Sequence, residues 1–450
     1  MLLGCIATLP LIPATRKLWH HNWFQLVVAL TFGVPMGIFM WSLGSHGAVV
    51  HALVEYVQFI TLLLSLFVIA GGIYVAGAIE ATPRTNVCFL AIGGGLASFI
   101  GTTGAAMALI RPILNVNRER TKRVHTVVFA IFVVANCGGL LTPLGDPPLF
   151  LGLLRGVPFL WTLNLFPAWL FVNALLLLTY YMLDLRLHAS EPITALRRDA
   201  TEVEPIRLHG KANLLWLLGV VLAVALAPSV DLHAISQGHA TVMDWIPLRE
   251  LIMLSLAGIS FATGDRRVRF VRNEFTWGPI LEVAALFLGI FLAMVPALAY
   301  LGQVAPTLPL NEYTFFILTG VLSSVLDNAP TYATFFEMAR TLGGEPAVAG
   351  VRTTYLASIS LGAVFCGAVT YIGNGPNFMV KAIADSAGVR MPSFGGYVIW
   401  ALRYLVPVLT LMTLVIIAPA LPLKLLGVVL TLGWVGYLSL GARSAVPART

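Results

Sequence analysis

TPLGDPPLF, at residues 142–150, interrupts an apolar run that would otherwise read as one long helix. Its prolines lack an amide hydrogen and its glycine loosens the backbone, so several backbone carbonyl groups lose their helical partners. Lipid offers no hydrogen bond to those carbonyls, and a break of this kind is stable only where it lines a polar cavity. Asp146 lies in the middle of the break. An ionisable side chain within a membrane segment indicates an ion or proton site.

A second stretch, TYIGNGPNF at residues 370–378, resembles the first at an offset of 228 residues. The two stretches share a threonine, a glycine, a proline and a phenylalanine at matching positions, and Asn374 stands where the first has Asp146. One break could arise by chance, whereas two related breaks indicate a duplicated architecture.

The composition excludes an ordinary soluble protein. Of the 450 residues, 58% are hydrophobic and 10% are charged, and the mean hydropathy is +0.88, which is typical of a polytopic membrane protein. The net charge of +7 comes from basic residues in short loops between apolar spans, so it indicates membrane topology rather than nucleic-acid binding. The sequence contains neither a phosphate-binding glycine loop nor a nucleophile paired with a base, and we therefore expect a protein that is not an enzyme.

The four cysteines are scattered through apolar segments without metal-ligand spacing. We interpret them as small core residues and expect no cofactor. Sodium is expected only as a transported or coupling ion.

Apolar runs divide the chain into five regions and predict about eleven spans. The predicted first span covers residues 2–15. The regions are scaffold spans at 1–55, a first repeat at 56–160, scaffold spans with cytoplasmic linkers at 161–276, a second repeat at 277–400, and C-terminal spans at 401–450.

Each repeat contains a hairpin and a broken helix. The predicted hairpins cover residues 87–115 and 313–341, and the predicted broken helices cover 124–154 and 352–388. Basic residues place both ends of the first hairpin in the cytoplasm, whereas the second hairpin begins and ends outside. The two repeats therefore run in opposite directions, and this inverted arrangement is typical of secondary transporters with a binding site near the middle of the bilayer.

Four strings carry a resemblance to a known family: GTTGAAMALIRP, NCGGLLTPLGDPPLFLG, LDNAPTY and YIGNGPNF. They resemble the ion-transporter superfamily, and most closely its branch of bacterial sodium/proton antiporters and citrate transporters. The resemblance implies an all-helical inner-membrane protein with two inverted repeats, each with a re-entrant hairpin and a broken transmembrane helix. It also implies a homodimer. Membrane lipid and a small ion or carboxylate are the expected partners.

The resemblance implies that each hairpin tip meets the broken helix of its own half. Thr102, Thr103 and Gly104 would then face Asp146, and the second tip would face the second break. The expected ion- or substrate-binding residues are Thr102, Thr103, Gly104, Thr142, Asp146, Asp327, Asn328, Thr370, Asn374 and Asn377. Of these, Asp146 and Asp327 are the expected sodium ligands.

Several of these residues also have a purely structural interpretation. Asp146 and Asp327 could cap the helices that follow them, and Asp327 could instead pair with Arg340 or Arg352. Asn374 and Asn377 could form turns, and Thr102 and Thr103 could bond the backbone of the hairpin bend.

Chemistry favours a cation at the two breaks. Sodium prefers several oxygen ligands, and a buried carboxylate without a cation favours its protonated form, so proton and sodium would compete for one group. We therefore expect a sodium/proton antiporter that works by alternating access. The alternative is a sodium- or proton-coupled carrier of citrate or a related carboxylate, for which Arg111 and Lys381 are the available basic residues.

Overall fold

The computed structural model describes residues 2–9, 12–19, 21–201, 204–237 and 239–443. Six helices in this part of the chain are long and apolar enough to cross a membrane, and shorter apolar helices lie between them. The chain is therefore a helical polytopic membrane protein. The six long helices cover Asn22–Ser42, His46–Ala70, Phe159–Ala189, Gly278–Thr307, Phe394–Ile417 and Leu421–Leu440.

The N-terminal region contains four helices and one strand. They are α1 (Leu2–Thr8), α2 (Pro13–Trp19), α3 (Asn22–Ser42), α4 (His46–Ala70) and β1 (Tyr74–Ala78). The single span expected at residues 2–15 is therefore incorrect, because two seven-residue helices, α1 and α2, occupy this part of the chain. Pro13 is the first residue of α2, a position where the missing amide hydrogen of proline costs nothing.

The first hairpin consists of α5 (Pro83–Ile100) and α6 (Thr102–Val116), which contact each other. Gly101 joins them with a φ of +79°, a conformation that favours glycine. Two short helices follow, α7 (Val124–Val133) and α8 (Pro147–Leu154), with a 3₁₀ turn at Cys137–Leu140 between them. We call residues 134–146 the first break.

The middle of the chain contains mostly helices that surround the hairpins. In order they are a 3₁₀ segment at Phe159–Leu165, α9 (Phe166–Ala189), α10 (Ile193–Thr201), β2 (Glu204–His209), α11 (Ala212–Leu226), α12 (Leu232–Ser236), a 3₁₀ turn at Val242–Trp245, α13 (Leu248–Thr263) and a π-helix at Arg267–Arg272. Strand β2 pairs antiparallel with β1, and Tyr74 lies opposite His209.

The second hairpin follows the long helix α14 (Gly278–Val304) and a 3₁₀ turn at Ala305–Thr307. It consists of α15 (Glu312–Val325) and α16 (Asn328–Leu342). The next elements are β3 (Ala347–Val348), β4 (Val351–Arg352), α17 (Thr353–Cys366), a 3₁₀ turn at Gly367–Val369 and α18 (Gly375–Ser386). We call residues 367–374, between α17 and α18, the second break.

The C-terminal region forms two long helical segments. The first contains α19 (Phe394–Trp400), a π-helix at Ala401–Leu405, α20 (Val406–Met412) and a π-helix at Thr413–Ile417, and the second is α21 (Leu421–Arg443).

Helices α3, α4, α11, α13 and α14 pack against one another, and we call them the frame. Close packing in the frame depends on Gly33 and Gly289, because a Cβ on Gly33 would lie 2.7 Å from the Cα of Gly289. The frame contacts the hairpins and breaks through α4 and α14, which pack on α6, α8 and α16. The two breaks thus lie in the interior of the protein, between the hairpins.

Candidate functional site

The two breaks place one polar side chain each at the start of a short helix. Asp146 precedes α8 and Asn374 precedes α18, and both have extended backbone angles. Proline follows within two residues in both cases, and its fixed φ suits the first turn of a helix. Neither side chain caps its own helix, so the capping interpretation of Asp146 does not apply. Both side chains are available for contacts across the interior.

The Asp146 carboxylate, with 1% of its surface exposed, is the point where the breaks and hairpins meet. Its Oδ1 accepts hydrogen bonds from Thr102 Oγ1 at 2.8 Å and from Asn374 Nδ2 at 3.1 Å. Its Oδ2 accepts a hydrogen bond from Asn328 Nδ2 at 2.5 Å. Four elements, namely both hairpin tips and both breaks, therefore converge on one carboxylate. We call these four side chains the Asp146 centre.

This arrangement differs from the expected pairing of each hairpin with its own break. Thr102 does contact the break that follows it, and its backbone N–H also bonds Gly145 O at 2.8 Å. Asn328 and Asn374, however, belong to the second half of the chain and bond directly to Asp146 in the first half. The expected two separate pockets therefore merge into one centre around Asp146.

Two threonines attach the hairpins to the breaks in a matching way. Thr142 donates its hydroxyl hydrogen to Ser98 O in α5, and Thr370 donates to Ser324 O in α15 at 2.5 Å. Each threonine oxygen also accepts a backbone N–H within its own break. These two side chains therefore bond the backbone of the hairpins, whereas the Thr102 hydroxyl bonds the Asp146 carboxylate.

The breaks are compact because two pairs of glycines bring the backbone close to itself. A Cβ on Gly145 would lie 2.0 Å from Gly139 O, and a Cβ on Gly373 would lie 2.6 Å from Gly367 O. Atoms in a protein interior do not approach this closely. The polar groups of each break are thus held in place by a loop that only glycine permits.

The remaining predicted residues lie around the centre. Asp327 accepts a hydrogen bond from Ala329 N at 3.1 Å and caps α16, while Arg340 and Arg352 lie close to Glu337 and Glu312 instead. Thr103 is half-buried in the first turn of α6. A Cβ on Gly104 would lie 3.2 Å from Ala70 Cβ, so Gly104 allows the hairpin tip to pack against α4.

Asn136 and Asn377 extend the polar network, and Asn136 was not among the residues expected from the sequence. Both side chains are fully buried. Asn136 Nδ2 donates to Asn377 Oδ1 at 2.6 Å, and Asn136 Oδ1 accepts from Asn374 Nδ2 at 3.1 Å. Two signals pointed to Asn136: it is an isolated amide side chain in the apolar run VVANCGG, and it is the first residue of the string NCGGLLTPLGDPPLFLG.

The groups that bond the Asp146 carboxylate, within the described residues, are all uncharged. The two basic residues considered from the sequence have other partners: Arg111 bonds Glu274 at 2.5 Å and Lys381 bonds Asp385 at 2.5 Å. Since a buried carboxylate is costly without a compensating charge, the centre is suited to receive a cation or a proton.

A family model described as "Putative citrate transport" matches residues 1–417 of the chain. The chain belongs to this family. Two curated relatives from Mycobacterium bovis and Mycobacterium tuberculosis are each named an uncharacterized transporter. Each is 27% identical over 361 residues, which cover 73% of this chain and 78% of the relative. As a member of this family, the chain is a membrane transporter.

Proposed function

We propose that this transporter exchanges sodium for protons by alternating access, and that Asp146 binds the two ions in turn. The observation that carries the proposal is a buried carboxylate whose described partners are all neutral hydrogen-bond donors. Such a group favours either a proton or a metal cation, and only one of them at a time.

The chemistry around Asp146 suits a small hard cation. Sodium prefers oxygen ligands, and the carboxylate, the Thr102 hydroxyl and the carbonyl groups of the breaks are oxygen donors. Competition between proton and sodium is sufficient for exchange if the loaded forms move between the two sides of the membrane and the empty charged form does not. Asp327, at the start of α16, is proposed as a second carboxylate for the same exchange.

Alternating access further requires that the hairpins and breaks of two structural halves move relative to the frame. We propose that the two halves are inverted repeats with re-entrant hairpins, in a protein of about eleven spans that works as a homodimer in the bacterial inner membrane. Two observations support the repeats: Thr142 and Thr370 bond corresponding hairpin carbonyls, and Gly145 and Gly373 occupy corresponding close approaches. The positions within each pair are 228 residues apart.

Purified protein in liposomes tests the proposal. Addition of sodium to vesicles that hold a pH gradient is expected to dissipate the gradient with wild-type protein, whereas Asp146→Asn and Asp327→Asn are expected to abolish this response. Asp385→Asn is the matched control, because Asp385 pairs with Lys381 outside the centre. Sodium-driven dissipation that survives in the double variant of Asp146 and Asp327 would refute sodium/proton exchange at these groups.

Cation-coupled uptake of citrate or a related carboxylate is the second candidate. The family description favours this candidate. Four helices begin beside the centre, namely α6, α8, α16 and α18, and the positive N-terminal ends of helices attract anions. Uptake of labelled citrate by the same liposomes distinguishes the two candidates. Citrate uptake that depends on sodium, without sodium-driven loss of the pH gradient, would favour this candidate.

A further inference from the structure

We infer that Asn136 is a positioning residue, which helps to hold the nitrogen end of the Asn374 amide toward Asp146 and thereby tunes the affinity of the centre for its cation. This inference rests on the proposed cation binding at Asp146. It comes from a chain of buried hydrogen bonds in which each amide determines the orientation of the next.

The chain begins at Asn377, whose orientation is determined by the backbone. Its Nδ2 donates to Gly367 O at 2.8 Å and to Thr370 O at 2.9 Å, both in the second break. Carbonyl oxygens only accept hydrogen bonds, so the amide nitrogen has to lie on this side. The Oδ1 atom of Asn377 therefore points the other way, toward Asn136.

Asn136 is oriented in turn by this oxygen. Its Nδ2 donates to Asn377 Oδ1 at 2.6 Å and to Ile131 O at 2.8 Å, so both amide hydrogens are used. The Oδ1 atom of Asn136 is left to face Asn374, and it only accepts. Asn136 is thus oriented by Asn377 and in turn presents an acceptor oxygen to Asn374.

Asn374 has to present its nitrogen as a result. Its Nδ2 lies 3.1 Å from Asn136 Oδ1, 3.2 Å from Ala135 O and 3.1 Å from Asp146 Oδ1, and all three are acceptors. Reversal of this amide would bring its oxygen against three other oxygens. Asn374 therefore serves as a hydrogen-bond donor that orients the carboxylate, and its own oxygen is withheld from a cation at Asp146.

Burial of the three asparagines makes a reversed amide orientation costly. Asn136 and Asn377 are fully buried and Asn374 is 2% exposed, so water does not substitute for a lost partner, and an unpaired amide here is costly. Asn328 contrasts with Asn374, because its Oδ1 is buried without a hydrogen-bond partner among the described residues. The centre therefore contains one amide with a fixed orientation and one whose oxygen is available.

Asn136 also makes the two breaks unequal. The residue 228 positions later is Val364 in α17, which is fully buried and apolar. The second half of the chain therefore has an apolar side chain in place of this amide. Among the described acceptors of Asn374 Nδ2, Asn136 is the one side chain outside the Asp146 centre, and one substitution tests its contribution.

Asn136→Leu removes the connecting amide and keeps the number of side-chain heavy atoms and their branching. Partners that orient a metal ligand typically contribute 10–100-fold to metal affinity. We therefore expect the sodium concentration for half-maximal exchange to rise about 10–100-fold, while the maximal rate stays close to that of the wild type. Thermal stabilisation of the purified protein by sodium, a measurement independent of transport, should shift to higher sodium concentration by the same factor.

Asn173→Leu is the matched control. Asn173 is also a buried amide beside the first break, where it donates to Cys137 O at 3.2 Å, but its recorded hydrogen bonds do not reach Asn374 or Asp146. We expect this variant to keep the wild-type sodium dependence. Asn136→Ser is a second variant for the case that Asn136→Leu does not fold. Its hydroxyl is too short to reach both neighbouring amides, so the sodium concentration for half-maximal exchange should rise by a smaller factor.

The outcomes separate this inference from the proposed function. If the wild type neither exchanges nor is stabilised by sodium, the proposed function fails and the inference fails with it. If the wild type responds to sodium and the folded Asn136 variants keep its half-maximal concentration, only the inference is overturned. An equal shift in Asn173→Leu would also overturn it, since the effect would then belong to the break as a whole.

Discussion

Asn328 in the second hairpin donates a 2.5 Å hydrogen bond to Asp146 in the first break, although the two residues are 182 positions apart in the sequence. Both side chains are buried. This contact joins the two halves of the chain at the carboxylate that we propose binds the transported ions. It also leaves the Asn328 oxygen without a partner among the described residues.

Asn328→Leu is expected to weaken the Asp146 centre while it keeps the number of side-chain heavy atoms. Within the described residues, the substitution removes the hydrogen bond that Asp146 Oδ2 accepts, and loss of a bond to a charged group costs about 1.5–3 kcal/mol. We expect a lower free energy of unfolding and a lower rate of sodium-driven proton exchange, measured by thermal denaturation and in liposomes. Asn164→Leu is the control, because Asn164 is exposed and bonds only its own turn. Wild-type exchange by Asn328→Leu would contradict this role.

Gly145→Ala is expected to prevent correct folding of the first break. The added Cβ would lie 2.0 Å from Gly139 O, and the backbone cannot move apart without breaking the Thr102 N–H bond to Gly145 O. We expect the destabilisation to exceed the about 1–3 kcal/mol that is usual for overpacking. Yield of monodisperse protein and its thermal midpoint measure this effect.

Gly375→Ala is the matched control for the glycine prediction. Gly375 lies in the first turn of α18, directly after the second break, and an added Cβ would meet no atom within 4 Å. We expect wild-type yield and a thermal midpoint equal to or above that of the wild type, since alanine favours a helix more than glycine does. Equal damage by both substitutions would argue against the close approach.

The sequence predicts the two breaks because their cause is local. Proline removes a backbone donor wherever it stands, and Gly145 or Gly373 permits a turn regardless of distant contacts. The predicted hairpin bounds, 87–115 and 313–341, rest on signals of the same local kind, namely apolar runs and polar tips along the chain.

The partners of Asp146 were only partly predictable because they depend on three-dimensional packing. The resemblance to the ion-transporter superfamily pairs each hairpin with its own break, which describes Thr102 but not Asn328. Asn136 has no counterpart in the second half, where Val364 stands, so a comparison of the repeats does not reveal it. The strand pair between residues 74–78 and 204–209 was missed because the two segments are far apart in the sequence.

One ion pair joins α4 to the residue that follows α8, and another joins α6 to the segment before α14. We expect the two pairs to differ in strength. Arg155 lies 3.3 Å from Glu55 with 10% and 7% of the side chains exposed, whereas Arg111 lies 2.5 Å from Glu274 with 19% and 71% exposed. Burial should outweigh distance, because water screens an exposed pair. Double-mutant cycles with Arg→Met and Glu→Gln should give a coupling energy above about 1 kcal/mol for the first pair and below it for the second. A larger coupling in the Arg111 pair would contradict this ranking.

Arg120→Met is expected to destabilise the protein more than any loss of a surface charge. Arg120 bonds Asp184 at 2.5 Å, and the two side chains are 1% and 0% exposed. Removal of Arg120 leaves the buried charge of Asp184 uncompensated, which costs about 3–5 kcal/mol. His125 lies 2.7 Å from the same carboxylate, and it compensates the charge only if it is protonated. Arg84→Met, at an exposed position of α5, should stay within about 0.5 kcal/mol of the wild type. Addition of Asp184→Leu to Arg120→Met should restore much of the lost stability, because the charges of Arg120 and Asp184 are then both absent. Unfolding in denaturant measures the stability of Arg120→Met, Arg84→Met and the double variant. A double variant less stable than Arg120→Met would show that hydrogen bonding to Asp184, rather than charge balance, determines the stability around this carboxylate.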